Sequence, residues 1–183
     1  MTPFRHLAAL RSGTASGFTL IELLIYVAFI SIMATVFVNF SLDIAGSAQK
    51  SRVRQEVQQN ARFAMDRMLQ EVRAAEGLNV GASVFGSHPG ILSLGTSVPA
   101  TNPTVFDISG GVLRMTQGAS SPVALTASNL QASNLVFENL AIAGRTQHVR
   151  LTFTLRHPNP DNTEIYNASV TLYGSAVLRE LVD

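Results

Sequence analysis

Between Phe18 and Phe40 the chain reads FTLIELLIYVAFISIMATVFVNF, 23 residues of which 18 are apolar and one, Glu22, is charged. A carboxylate inside a membrane span costs on the order of 2.5–3.5 kcal/mol on insertion scales, so it is rare there and usually has a partner. The local pattern already suggests one use for it. Thr19-Leu20-Ile21-Glu22 fits the S/T-x-x-E capping box, and a negative charge in a first turn suits the helix dipole.

Other residue types that could carry chemistry lack the companions they need. Ser47-Ala48-Gln49-Lys50 matches the S-x-x-K nucleophile motif, but Lys50 is the only lysine and no S-D-N triplet exists, so the match is one of chance. His6, His88, His148 and His157 show no ligand-like spacing. Asp161, Asn162 and Glu164 could offer oxygens to calcium, yet an Asn/Asp/Pro-rich turn needs no metal to explain it. Arg150, Arg156 and His148 form a small basic row that reads by default as a solvated strand face. With no cysteine there is no disulfide, thiol nucleophile, Cys-ligated metal or redox pair. The HExxH, GxSxG, GxGxxG and Walker A patterns are all missing. The expectation is a protein that is not an enzyme, with no cofactor, no metal and no catalytic residue.

The elements around Glu22 follow from composition. Of 183 residues 46% are hydrophobic and only 14% charged, with a net charge of +1, which excludes the basic footprint of a general nucleic-acid binder. As a helix, residues 18–40 would span roughly 35 Å against roughly 30 Å of bilayer hydrocarbon. Residues 1–17 hold Arg5 and Arg11 and no acid, like the front of an export signal. Gly46 and Ala48 imitate a signal-peptidase site, but the apolar run is too long and the polar-to-apolar break falls at Gly17/Phe18, before the run. Arg5 and Arg11 on one flank and Lys50, Arg52 and Arg54 on the other leave orientation undecided by charge alone.

From 18 to 76 there is no proline and a single glycine, Gly46, which predicts one helix continuing past the apolar segment. Its second half, residues 41–76, carries six basic and five acidic groups. There Val53, Val57, Ala61, Ala64, Met68, Val72 and Ala75 recur at helical spacing as a stripe to be buried, and Gly77 suits a left-handed cap. Residues 77–183 turn to short apolar runs punctuated by Gly, Ser, Pro and Asn. Residues 77–103 read as a long loop with at most short strands; strands are expected at 104–108, 112–116, 123–126 and 135–142, with Gly110 and Gly111 a hairpin turn. In QHVRLTFTLRH, Val149, Leu151, Phe153 and Leu155 alternate with polar residues, and Tyr166, Ala168, Val170 and Leu172 supply a return strand. The fold class is α+β: a long N-terminal membrane-spanning helix continues into an amphipathic helix packed on an antiparallel β-sheet head. The organisation is 1–17 leader, 18–40 transmembrane half, 41–76 amphipathic half and 77–183 β-rich head.

GFTLIELLIYVAF at 17–29 resembles the N-terminal signature of the type IV prepilin family, precursors of type IV pilins and type II secretion pseudopilins. QEVQQNARFAMDRMLQEVRAAEGL at 55–78 resembles the helix region of PilW-like minor pilins and J-type minor pseudopilins. The resemblance implies a pilin-like fold and a prepilin peptidase that cleaves after Gly17 on the cytoplasmic face and methylates the new amino terminus, Phe18. It implies that this amine, on a neighbouring subunit, partners Glu22 during filament assembly. The chain would then sit as a single-pass protein of the bacterial inner membrane, N-terminus cytoplasmic, its head periplasmic or, after assembly, extracellular. Its partners would be the prepilin peptidase, other pilin or pseudopilin subunits, an inner-membrane assembly platform and membrane lipid. The proline of many major pilins is missing from the apolar stretch, as is their terminal cysteine pair, which points to a minor subunit.

The alternative is a membrane-anchored binding module, such as a competence-type pilin involved in DNA uptake. Residues 77–183 hold five basic against six acidic groups, which argues against nucleic acid as a partner. Without residues 1–17 the remaining 166 residues carry 11 basic and 12 acidic groups, so the mild basicity belongs to the leader.

Overall fold

The computed structural model describes residues 17–141 and 147–178 and divides into two compact units, Met1–Ile44 and Ala45–Asp183. The leader expected at 1–17 lies outside the described residues except for Gly17, as does Ile142 at the end of one expected strand. The fold is α+β: a long apolar N-terminal helix and antiparallel sheets. Helix α1, Leu20–Ala74, gives its residues 20–44 to the first unit and 45–74 to the second.

In the first unit Thr19 opens the helix, its carbonyl accepting from Leu23 N at 3.2 Å. Every side chain from Phe18 to Ile44 is exposed except Glu22, which is half-buried. Among the described residues this is the one helix long and apolar enough to cross a membrane. Its hydroxyls turn inward on their own helix. Ser31 donates to Val27 O at 2.7 Å, Thr35 to Ser31 O at 2.9 Å and Ser41 to Phe37 O at 2.8 Å, so none leaves a donor facing an apolar surrounding.

In the second unit the whole expected stripe of α1 is buried, from Val53 through Val57, Ala61, Ala64, Met68 and Val72 to Ala75, with Met65 added. It shares a core with two sheets. The first sheet orders β1 (Gly77–Leu78), β2 (Leu92–Gly95), β3 (Thr104–Ser109), β4 (Val112–Gln117) and β5 (Val123–Ala124) as neighbours, all antiparallel. The second orders β6 (Gln131–Asn139), β7 (His148–Arg156) and β8 (Ser169–Val177), with nine successive pairs between β7 and β8. Val149, Leu151, Phe153 and Leu155 of β7 are wholly buried, and the alternate residues face outward or lie half-covered.

Several elements differ from their sequence expectations for tertiary reasons. The helix stops at Ala74, and Gly77 is no left-handed cap: Glu76 N donates to Gly95 O at 2.9 Å and Gly77 pairs with Gly95, so a strand rather than a cap takes over the backbone. The 77–103 segment holds only short strands, as expected: β1 of two residues and β2 of four, the latter with Leu92 and Leu94 fully buried. The strand expected at 123–126 shortens to two residues; beyond it Leu125 N still bonds Leu113 O, and Thr126 Oγ1 accepts from Leu113 N. β6 starts at Gln131, ahead of the expected Leu135, because a register shift between Ser133 and Val136, with Asn134 at φ 51°, bridges two paired stretches. At the β3–β4 turn Gly110 and Gly111 take φ of 59° and 78°, the two positive values that a type I′ hairpin requires.

Helix and second sheet approach closely at Gly174. A Cβ there would lie 2.6 Å from Met65 Sδ, 2.9 Å from Leu151 Cδ1 and 3.3 Å from Leu69 Cδ1. We predict that Gly174→Val destabilises the folded head by about 1–3 kcal/mol, the usual cost of overpacking, and that Gly174→Ala costs less because these side-chain ends can turn aside. Denaturant unfolding of the detergent-solubilised full chain measures both; equal stability of wild type and Gly174→Val would refute the close approach.

Candidate functional site

Gly17, Phe18 and Thr19 precede the helix, and Glu22 lies in its first turn. Thr19 Oγ1 accepts from the backbone N of Glu22 at 3.3 Å, which makes half of the capping box. The returning half, from the Glu22 carboxylate to Thr19 N, is not formed. Instead Tyr26 Oη donates to Glu22 Oε1 at 3.3 Å from one turn further along. The Tyr26 ring also meets the Phe18 ring, with centroids 5.9 Å apart and planes tilted by 55°. Phe18, Glu22 and Tyr26 thus stand at i, i+4 and i+8 on one side of the chain's apolar start. Glu22 Oε2 has no hydrogen-bond partner among the described residues, so one carboxylate oxygen is engaged and the other is open to an external cation. Tyr26 was missed in the sequence reading, although its spacing of four from Glu22 was the available signal.

The other sequence candidates separate from this cluster. His6 lies outside the described residues. In the S-x-x-K match, Lys50 turns away from Ser47 and pairs with Glu164, Nζ to Oε2 at 3.1 Å, while Gln49 donates to Tyr166 Oη at 3.3 Å. The turn holding Asp161, Asn162 and Glu164 is closed by Asn159, whose Oδ1 accepts from Thr163 N and whose Nδ2 donates to Thr163 O, both at 2.9 Å. No group of three or more His, Asp or Glu side chains that could hold a metal occurs among the described residues. A cleft of about 580 Å³ lies beside this turn, bordered by Gln131, Arg156, His157 and Tyr166. In it the His157 and Tyr166 rings stack with centroids 4.9 Å apart. His88 is used structurally, its Nδ1 accepting from Leu135 N at 2.9 Å.

The basic row on the second sheet is already occupied. Arg150 Nη1 meets Glu138 Oε2 at 3.1 Å, and Arg156 donates from Nε and Nη2 to Gln131 Oε1 at 3.0 and 2.6 Å. On the first sheet Arg114 binds Asp107 through two bonds of 2.9 and 2.6 Å. The Arg114 guanidinium is raised above its ordinary pKa, chiefly by that hydrogen bond and also by the charge of Asp107, with burial opposing. His148 begins β7 opposite Val177.

Against known proteins, the chain matches no family model, no curated protein and no solved structure.

The pairing of Arg150 and Arg156 bears on nucleic acid. Retention of duplex DNA in a gel shift should be absent at about 200 mM salt, where phosphate contacts weaken steeply, and weak at about 50 mM. Changing both arginines to alanine should leave that behaviour unaltered. Strong salt-dependent retention that the double change abolishes would establish a DNA surface on β7.

Proposed function

We propose that the chain is a minor type IV pilin or pseudopilin, a processed structural subunit that enters, or primes, a pilus or secretion pseudopilus. The observation that carries this reading is the placement of Glu22. A single carboxylate with one open oxygen stands one turn into a fully exposed apolar helix, four residues beyond Phe18. Nothing in a monomer requires an acid at that place beyond the cap, and the cap uses only the backbone N of Glu22.

On this reading, hydrolysis of the Gly17–Phe18 peptide bond on the cytoplasmic face by a prepilin peptidase frees an amine at Phe18, which is then methylated. That cation, on a neighbouring subunit, pairs with Glu22. In hydrocarbon such a pair is strong because neither charge has water as an alternative, and the match of one cation to one acid sets the axial register of neighbouring helices. The rest of the exposed surface from Phe18 to Phe40 is then covered by lipid in the inner-membrane pool and by other subunits' helices in the filament. Residues 45–74 and the two sheets make a pilin-like head held outside the membrane, reached through an assembly platform. The absence of proline between 18 and 40 and of any cysteine supports a minor rather than a major subunit. The alternative DNA-capture module would need free cations on the β-rich region, where the described arginines Arg114 and Arg150 each pair with an acid and Arg156 with an amide oxygen.

Three outcomes are expected. Intact protein from cells with a working prepilin peptidase has a mature N-terminus at Phe18 carrying one methyl group, seen by mass spectrometry; a chain starting at Met1 or cut after Ala48 sinks the reading. Gly17→Val blocks processing. Glu22→Ala is processed but left out of filaments, and equal incorporation of wild type and variant in sheared-filament preparations would remove Glu22 from assembly.

A further inference from the structure

We infer that Tyr26 is the third member of the Glu22 site: it donates its hydroxyl to Glu22 while the subunit waits unassembled in the membrane, and its ring holds the Phe18 side chain beside that acid. The inference rests on the assembly reading above, because it supposes that Glu22 lies in lipid and later meets an amine.

An isolated carboxylate in hydrocarbon is costly, and a subunit waits in the bilayer before any neighbour offers a cation. The capping box would have met that need by turning Glu22 back to Thr19 N, but a carboxylate so engaged is drawn toward its own helix end. Tyr26 meets the need from the other direction. Its Oη lies 3.3 Å from Oε1, and Oε2 is left open. A neutral hydroxyl donates one hydrogen bond and brings no charge of its own, so it supports the acid without cancelling it. An arriving amine can bind Oε2 while Tyr26 keeps Oε1, or can take over both oxygens, since the charged donor makes the stronger bond. The 5.9 Å ring contact adds a second constraint, because Phe18 is also the residue that would carry the amine. Acid and amine-bearing residue are thereby set from one side chain, with Tyr26 acting as a positioning residue.

The test uses the full chain in cells that have the prepilin peptidase but lack the other pilin-like subunits and the assembly platform, so that every copy remains in the membrane. Pulse-chase lifetimes are compared for wild type, Tyr26→Phe, Glu22→Ala and the double variant. Phenylalanine preserves the ring contact and removes only the hydroxyl. Tyr26→Phe should shorten the lifetime about threefold, the factor an average hydrogen bond in a membrane interior is worth. In the Glu22→Ala background, where no acceptor exists, it should change nothing. Equal shortening in both backgrounds, or none with Glu22 present, overturns the inference. A second measurement is free of turnover: with the processed chain in phosphatidylcholine vesicles, labelled at glutamate carboxyl carbons, the signal that Glu22→Ala deletes should move on Tyr26→Phe, and an unmoved signal overturns the inference. Neither readout involves filaments. Loss of the coupling while Glu22→Ala still blocks assembly removes Tyr26 alone, whereas coupling without any assembly defect in Glu22→Ala removes the pilin reading alone.

Discussion

A polar group denied water must find its partner within the protein, and both units of this chain are organised by that constraint. Residues 20–40 present a largely apolar surface outward, for which a helix satisfies the backbone from within. Ser31, Thr35 and Ser41 obey the same rule by bonding carbonyls one turn back. In the second unit, where the apolar faces turn inward, the few buried polar side chains are each answered. Ser93 Oγ accepts from Asn79 Nδ2, Thr104 Oγ1 donates to the carbonyl of Thr101, and Thr126 Oγ1 accepts from Leu113 N. Among the described residues no buried side-chain polar atom is left without a partner. On the exposed apolar surface the Glu22 carboxylate is bonded by Tyr26 at Oε1, and Oε2 takes no partner among the described residues.

One helix serves two environments because its side-chain pattern changes along its length. Up to Ile44 the apolar residues cover all sides, while from Val53 they narrow to a stripe and charges fill the remainder. The stripe works by being small as well as apolar. Ala61 and Ala64 are fully buried, and on the facing strand Gly174 lies against Met65 and Leu69. Cross-links of longer reach tie the helix to the β5–β6 connection: Ala127 N donates to Asn60 Oδ1 at 3.3 Å, and Asn129 Nδ2 to Glu56 Oε1 at 2.8 Å.

What could be read from the sequence is what repeats. The stripe from Val53 to Ala75 and the alternation from Val149 to Leu155 are periodic, and periodicity reports which face is buried whatever it is buried against. The helix end, the short β5 and the early start of β6 depend on a partner strand far along the chain, and no local pattern encodes that partner. Gly77 is the clearest case: glycine after a helix suits a cap, but Gly95, 18 residues on, offers its strand. The same division holds for the candidate site. Glu22 was legible because it is the only charge in its run. Tyr26 was not, because an aromatic among apolar residues reads as one more hydrophobe until its hydroxyl is seen to point at an acid. Arg150 and Arg156 read as a solvated face, and they are exposed; their partners, Glu138 and Gln131, could not be read locally because they sit on another strand.

On the proposed reading, capping and assembly do not compete for Glu22. A full capping box would turn one carboxylate oxygen back to Thr19 N and away from Tyr26. Here the cap is made through the backbone N of Glu22 and the hydroxyl of Thr19, and the carboxylate accepts from Tyr26 instead. Thr19 lies after the Gly17–Phe18 bond. On the proposed reading, then, removal of the leader takes away nothing that starts the helix, because Thr19, Glu22 and Tyr26 all remain. Processing would add a cation at Phe18 to a first turn that is already formed, so the new charge would arrive at a fixed distance along the helix from the acid of its own chain. For two such helices side by side, that fixed distance is what turns one amine and one carboxylate into a defined stagger.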